Sequence, residues 1–290
     1  MTDVSVILVN YNTKDLAKDC INSVYEKTSG IDFDIWVVDN ASADGTCEMI
    51  EKEFPKVKLI KSNENLGFGM GNNLAIEKSD AKYVFLLNTD TILINNAIKV
   101  MFDFMEKKPN AGACGGNLYD KNDRHVHSYR HLPTIKGKIV KTFFLKPFFS
   151  KEKTEINDKG NNENNEFKQV GYITGADLMM RKSVLEKIGG FDKDFFLYFE
   201  ETELQFRIRK ASFEIYILPD AKIYHLEGKS AKNRTKRREI FLKSEYLYYK
   251  KCYGISKHSP LKLVFMISHL IRLLVSPKMV LNAWKFILEN

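Results

Sequence analysis

Lys82-Tyr83-Val84-Phe85-Leu86-Leu87-Asn88-Thr89-Asp90-Thr91 is an apolar run that stops abruptly at a polar triplet. Read as a buried strand, it puts Asn88, Thr89 and Asp90 at the strand tip. Ligands of open α/β sheets bind in the crevice beyond the carboxyl ends of the strands, so Asp90 is a candidate metal ligand facing a substrate. Taken alone, an Asp after a strand is more often a turn residue or a helix cap. The surrounding chain changes that balance.

Upstream, strand and helix patterns alternate. Residues 4–9 and 35–38 are apolar and β-branched, as expected of strands covered on both faces, and residues 57–60 form a third such run. Helical spacing of Leu16, Cys20, Ile21 and Val24 separates the first two, Met49, Ile50 and Phe54 the next two, and a Gly-rich turn and helix at 66–79 precedes the fourth. Strands separated by single helices require parallel pairing with right-handed crossovers. The expected fold is a doubly wound α/β domain of nucleotide-binding type.

Each strand also ends in polar residues: Asn10-Tyr11-Asn12, Asp39, Asn63-Glu64-Asn65 and Asn88-Thr89-Asp90. One such end is an ordinary turn. Four on one edge of a parallel sheet make a lined crevice, with an aromatic face and hydrogen-bonding groups suited to a base and a ribose. Gly67-Phe68-Gly69-Met70-Gly71 has the wrong spacing and position for a dinucleotide fingerprint, but it would let backbone approach a bulky ligand and set a helix N-terminus near a phosphate.

Together, residues 6–12, 37–45, 65–73 and 86–90, with Gly189-Gly190-Phe191-Asp192 through Arg209, resemble the ordered motif set of the family 2 glycosyltransferases. The closest likeness is to the bacterial branch that contains rhamnosyltransferases. The resemblance implies a GT-A fold: a single nucleotide-diphosphate-sugar-binding α/β domain with a mostly parallel central sheet, here followed by C-terminal amphipathic helices. It implies an inverting enzyme of polysaccharide or cell-wall biosynthesis. The donor would be a dTDP- or UDP-sugar, dTDP-rhamnose among them, and the acceptor a hydroxyl of a cell-surface glycan or lipid-linked molecule. By the same resemblance Asp39 contacts the base and Tyr11 stacks near it. Asn10, Asn12, Asn65, Gly67, Gly69, Asn73, Asn88 and Thr89 complete the donor site, and Asp90 binds Mg²⁺ or Mn²⁺ bridging the diphosphate. The chain departs from the family's metal-binding Asp-x-Asp in having Asn88 at the first position, so one carboxylate fewer is available to a hard cation.

The second half should supply the acceptor side. Residues 95–107 read as a helix, 111–118 as a strand and 172–180 as another, in which Asp177 is a weaker candidate for contact with a sugar or acceptor hydroxyl. Residues 150–168 are almost free of apolar side chains and are expected to overhang the rim of the site. In the acidic stretch Glu200-Glu201-Thr202-Glu203, the resemblance makes Glu201 the base that removes the acceptor proton, with Glu200 the close alternative; Asp177 or Glu203 would be next to test if neither serves. Read without it, these are acidic residues favoured in a first helical turn. Residues 215–218 and 221–224 look like two closing strands that deliver His225, which matches a family position that adds a nitrogen ligand to the metal.

The expected layout is a catalytic domain over 1–228, divided into a nucleotide-binding half (1–118) and an acceptor half (119–228), and an extension over 229–290. Residues 222–251 carry ten Lys or Arg against three Glu, a surplus of seven where the whole chain has +8. No nucleic-acid motif accompanies it, so the cations fit a leaving diphosphate or an anionic membrane face better than nucleic acid. The polar residues of 260–290 recur at helical spacing and Pro277 divides them into two amphipathic helices, which could pack on the domain, pair in a homodimer or lie peripherally on the inner membrane. The four scattered cysteines and the absence of a signal-peptide pattern lead to the expectation of a cytoplasmic protein. Two other classes compete: a nucleotidyltransferase that makes nucleotide sugars, which would carry a Gly- and Lys-containing loop where Asn10-Tyr11-Asn12-Thr13 stands, and a non-catalytic basic binding module.

Overall fold

A computed structural model of the chain describes residues 2–143, 167–226, 234–256, 259–273 and 285–288. Its first half has the expected alternation: β1 (Val4–Asn10), α1 (Lys14–Lys27), β2 (Phe33–Asp39), α2 (Thr46–Glu53), β3 (Lys58–Lys61), α3 (Gly67–Lys78) and β4 (Tyr83–Leu87). β1 pairs in parallel with β2 and β4, and β2 with β3. This order brings the carboxyl ends of β1, β2 and β4 to one edge, with Asn10 directly opposite Asp39.

The second half runs β5 (Thr91–Leu93), α4 (Ala97–Lys107), β6 (Ala111–Tyr119), β7 (Tyr129–Arg130), α5 (Ile135–Thr142), β8 (Lys168–Gln169), β9 (Tyr172–Ile173), β10 (Asp177–Arg181), α6 (Lys182–Ile188), α7 (Glu200–Lys210) and β11 (Glu214–His225). The main sheet continues from β4 through β10, β6, β11 and β5. β10 is antiparallel to both its neighbours, so the sheet is mixed where the alternation alone implied parallel pairing. The expected strand at 172–180 is two strands in two sheets, since β9 pairs with β7 while β10 enters the main sheet. Conversely, the two expected closing strands are one. β11 runs through a register shift between Leu218 and Lys222, where Pro219 has no N–H to donate. The helix expected from residue 95 starts at Ala97, because the Asn95 side chain holds the Asp220 carbonyl and the Lys222 amide of that same irregularity.

Apolar side chains cover both faces of the sheet. Ile21 and Val24 of α1, Ile50 of α2 and Met101 of α4 pack on one face, and Ile76 of α3, Leu185 of α6 and Leu204 and Ile208 of α7 on the other. A third cluster, around Phe195, Tyr246, Tyr248, Tyr249 and Phe265, joins α8 (Arg234–Tyr253) and α9 (Pro260–Leu273) to α7. Burial of one such aromatic is worth roughly 1.5–3 kcal/mol, enough in sum to hold the extension on the domain. No helix among the described residues is long and apolar enough to cross a membrane. The polar tract expected at the rim, except its last two residues, lies outside the described residues, as do the cations of 229–233 and most of the second C-terminal helix.

Candidate active site

At the strand tips the polar residues bind chiefly one another. Asn10 is fully buried: its Nδ2 lies 3.0 Å from Asp39 Oδ1, 3.0 Å from Ser42 Oγ and 3.1 Å from Thr46 Oγ1, and its Oδ1 accepts Thr13 Oγ1 at 2.6 Å. Asn10 is thus a hub of the scaffold, not a ligand contact. Asn12 takes a left-handed backbone (φ 55°) and fastens the neighbouring loop by accepting the Ala43 amide at 2.8 Å. Thr89, also expected at the donor, is buried with its hydroxyl 3.0 Å from that of Thr13. Asp39, 2% exposed, belongs to the same network: one oxygen accepts Asn10 Nδ2 and the other the Ser42 amide at 2.9 Å. Tyr11, 50% exposed, offers a ring at the crevice mouth.

The glycines of α3 serve packing. Gly67 has φ 78°, and a Cβ there would lie 2.1 Å from the Phe196 carbonyl oxygen; one at Gly69 would lie 2.9 Å from Phe191 Cβ. Their missing side chains let the loop at 189–199 close on the helix, a packing role beside the one expected of them. Asn65 accepts the Gly67 amide at 2.9 Å and so starts α3, while Asn73 exchanges two hydrogen bonds of 2.9 Å with the backbone of Phe191. Both atoms of the Asn73 amide are thus taken up by that backbone.

Asp90 and His225 do come together. β5 pairs with the end of β11, His225 opposite Thr91, and Asp90 Oδ1 lies 3.5 Å from His225 Nε2. The side chains are 19% and 21% exposed, open to solvent yet held by the sheet. Adjacent ligands of an ion with bonds of about 2.0–2.1 Å stand about 3 Å apart, so this carboxylate and imidazole fit one divalent cation. No third His, Cys, Asp or Glu joins them among the described residues. A cation here would take its remaining oxygens from diphosphate and water, the usual situation of Mg²⁺ and Mn²⁺. Asn88 contributes to the same turn through its backbone: its amide donates to the Ala176 carbonyl at 3.0 Å and its carbonyl accepts the Thr91 amide at 3.2 Å.

The acidic pair opens α7, after Tyr198 (φ 69°) and Phe199 (φ 67°). Two consecutive aromatics in the left-handed region cost of order 1–3 kcal/mol each, and such strain collects at functional sites. Glu201 is on the wall of a cavity of about 370 Å³, with Arg130, Tyr172, Tyr198, Lys138 and Glu245. Burial raises its carboxyl above the ordinary range, opposed by the Arg130 guanidinium. Glu200 is buried, and its Oε2 meets no hydrogen-bond partner among the described residues. Burial and the charge of Glu201 push Glu200 far up, so it is the neutral member of the pair. Glu203 is held by Arg207 through both oxygens at 2.8 Å. Asp177, expected to reach substrate, is fully buried in β10, accepts the Gly116 amide at 2.6 Å and is pushed far up by burial; it faces the interior, not the crevice.

The segment between β9 and β10 connects Glu201 to the Asp90 strand tip. Its Ala176 carbonyl holds Asn88, and a Cβ added at Gly175 would lie 3.8 Å from Glu201 Cβ. A strand tip carrying a carboxylate and an imidazole lies one short segment from a carboxylate on a cavity wall, all on an α/β sheet. The family model described as glycosyl transferase family 2 matches residues 5–189. The chain belongs to glycosyl transferase family 2. It is 27% identical over 208 residues to the N-acetylglucosaminyl-diphospho-decaprenol L-rhamnosyltransferase of Mycobacterium tuberculosis, covering 68% of this chain and 67% of that protein, which places it on the rhamnosyltransferase-like branch. It is 25% identical over 219 residues to the low-salt glycan biosynthesis hexosyltransferase Agl10 of Haloferax volcanii, covering 74% and 64%. Among solved structures, the mannosyltransferase PcManGT from Pyrobaculum calidifontis in complex with GDP-Man and Mn²⁺ superposes with a TM-score of 0.59 at 16% identity, over 99% of this chain and 76% of that one. GalNAc-T7 with UDP, GalNAc and Mn²⁺ gives 0.61 at 12% identity, over 86% and 48%. These likenesses show the GT-A fold.

Several side chains of this glycosyltransferase carried no signal in the sequence. Arg130, at the end of β7, belongs to no motif, and Lys138 and Glu245 are separated by more than a hundred residues. Yet the last two form an ion pair at 2.9 Å, 3% and 8% exposed, on the cavity wall. Phe241, Glu245 and Tyr249 also show that α8, assigned above to an extension, lines the same cavity as Glu201.

Proposed function

We propose that this chain transfers a sugar, with inversion, from a dTDP- or UDP-sugar to a hydroxyl of a glycan or lipid-linked acceptor, dTDP-rhamnose being the first donor to test. The observation that carries the reading is Glu201 on the wall of a sugar-sized cavity, joined through residues 174–176 to the Asp90 and His225 strand tip. The acceptor enters the cavity, where Tyr172, Phe241 and Tyr249 offer apolar faces to a sugar ring. Glu201 takes the proton of its hydroxyl as the oxygen forms a bond to the anomeric carbon and the bond from that carbon to the diphosphate breaks. Asp90 and His225 would hold a divalent cation, Mg²⁺ or Mn²⁺, whose charge stabilises the departing diphosphate. Tyr11 and Asp39 receive the nucleoside. Of the two acids, Glu201 is the base because it meets the cavity and stands beside Arg130, whereas Glu200 is held neutral in the interior.

Peripheral contact with the cytoplasmic membrane face is part of the proposal, supported by the basic stretch beside α8, by Leu263 and Leu288, which stay exposed, and by the lipid-linked substrate in the name of the mycobacterial relative. The decisive test is a thermal-shift and nucleotide-release panel of UDP-, dTDP- and GDP-sugars with and without Mn²⁺, since a ligand of the native state raises its apparent stability. We expect Mn²⁺-dependent stabilisation by dTDP or UDP, nucleotide release in the presence of acceptor, and loss of both the metal effect and turnover in Asp90→Ala. A folded Asp90→Ala protein with normal turnover would refute the metal role.

A further inference from the structure

Gly189 to Phe199, the loop that leads into the base, is gripped from two sides. On one side α3 holds it: Phe68 donates its amide to the Phe196 carbonyl at 3.3 Å, Gly67 leaves room for that carbonyl, and Asn73 clamps Phe191. On the other side is α8. Ser244 Oγ donates to the Leu197 carbonyl at 2.8 Å, Arg237 Nε donates to the Tyr198 hydroxyl at 2.7 Å, and Lys251 Nζ lies 2.6 Å from both Asp192 and Asp194. The Phe241 ring packs on Tyr198 and Phe199 at centroid distances of 5.6 and 5.3 Å.

We propose that α8 positions the catalytic base by holding the left-handed turn at Tyr198 and Phe199, with Ser244 and Arg237 as positioning residues; the inference rests on the reading of Glu201 as that base. The turn has no local support. Aromatic residues disfavour positive φ, neither Gly nor Asn stands there, and no side chain caps the start of α7. A backbone of this kind persists only where its surroundings over-determine it, and those surroundings are α8. The rest of α7 has its own anchors: Leu204 and Ile208 are buried on the sheet, and Gln205 exchanges two hydrogen bonds of 2.8 Å with Ile173. A released turn therefore frays the first turn of α7, which carries Glu200 and Glu201, and leaves the helix beyond it in place. Ser244 touches neither the cavity nor the metal pair, so its effect on transfer passes through the turn.

The test is the double variant Ser244→Ala with Arg237→Ala in the full chain, read three ways. Deuterium uptake should rise about tenfold in rate over residues 195–203 and stay unchanged over 204–210. Affinity for UDP and dTDP with Mn²⁺ should stay within about twofold. Transfer from dTDP-rhamnose or a UDP-sugar to an N-acetylglucosaminyl-diphosphoryl polyprenol should lose about tenfold in kcat with the donor KM unchanged, as misplacement of a catalytic group does. Ser244→Thr, which keeps the hydroxyl, should restore uptake and kcat. Should the double variant fold poorly, Arg237→Ala alone, at an exposed site, is read in the same way. Unchanged uptake over 195–203 overturns the proposal, as does faster uptake with normal kcat, or a joint fall of kcat and nucleotide affinity. Glu201→Gln, assayed beside it, separates the two readings: normal transfer by that variant removes the base assignment itself, whereas its inactivity together with a normal double variant removes only the role of α8.

Discussion

At the tips of β1 and β2, Asn10 divides its amide among Asp39, Ser42, Thr46 and Thr13, and both polar atoms of its side chain have partners; at the start of α7, Glu200 keeps one buried oxygen with none among the described residues. The strand-tip edge is a hydrogen-bonded network in which Asp39 is itself buried, while Tyr11, Asn12 and the Asp90 and His225 pair are open to solvent. The acceptor cavity instead holds a raised carboxyl pair, a buried ion pair and two left-handed aromatics. One region is arranged for stability and presents few groups to a ligand. The other retains costly groups that packing alone would not select, and in a folded protein such groups point to chemistry.

The contrast breaks first at Glu201. Glu201→Gln keeps the size of the side chain but cannot accept a proton, so transfer should fall by roughly 10²–10⁴-fold, about 3–5 kcal/mol, with nucleotide binding intact. Wild-type kcat should rise with pH through the raised Glu201 carboxyl, because the base acts ionised, and the Gln variant should lack that limb. Asn10→Ala probes the closed network. Removing the hub strands buried partners, for a loss of about 2–3 kcal/mol of stability in denaturant titration, and an unchanged midpoint would show that the network is dispensable. His225→Ala should weaken Mn²⁺ about tenfold in a metal titration of activity, about 1.4 kcal/mol, while leaving metal-free nucleotide affinity alone. An unchanged titration would make His225 structural.

The smallest expected effect has the opposite sign. The folded-state pKa of Glu200 lies above its unfolded value, so the wild-type protein is least penalised at low pH and loses stability as pH rises through the folded value. Glu200→Gln removes that loss. It should raise Tm by about 2–4 °C at neutral pH, equivalent to about 1 kcal/mol, with the gain shrinking as pH falls. A gain that is independent of pH would mean that Glu200 is not the neutral member of the pair.

The donor half was legible because its signals are local. Apolar β-branched runs ended at polar tips, and the helices between them dictated parallel neighbours, so the pairing of β1 to β4 and the place of Asp90 beyond the tip of β4 could be read directly. The antiparallel insertion of β10 was not, since nothing in residues 177–181 records which strands will flank them. Asn10, Asn65 and Asn73 illustrate a different limit: the amide that suits a nucleotide also suits a neighbouring backbone, and only the folded chain decides between them. The packing role of Gly67 and Gly69 was hidden for a related reason, as the residues they accommodate, Phe196 and Phe191, lie more than 120 residues away in sequence. The cavity was least visible. Its walls come from β7, β9, α5, α7 and α8, and only the acidic start of α7 carried a motif.

The Lys138 and Glu245 pair on that cavity wall has a consequence for ionic strength. Mobile ions screen exposed charges over about 8–10 Å at ordinary salt, but they cannot enter between two side chains this deeply buried. On the proposed function, attraction of the chain to an anionic surface through its exposed lysines would therefore fade as salt is added, whereas the polar pattern inside the cavity would stay the same. Added salt would then separate the two steps, releasing the chain from a charged surface without altering which hydroxyl the cavity takes.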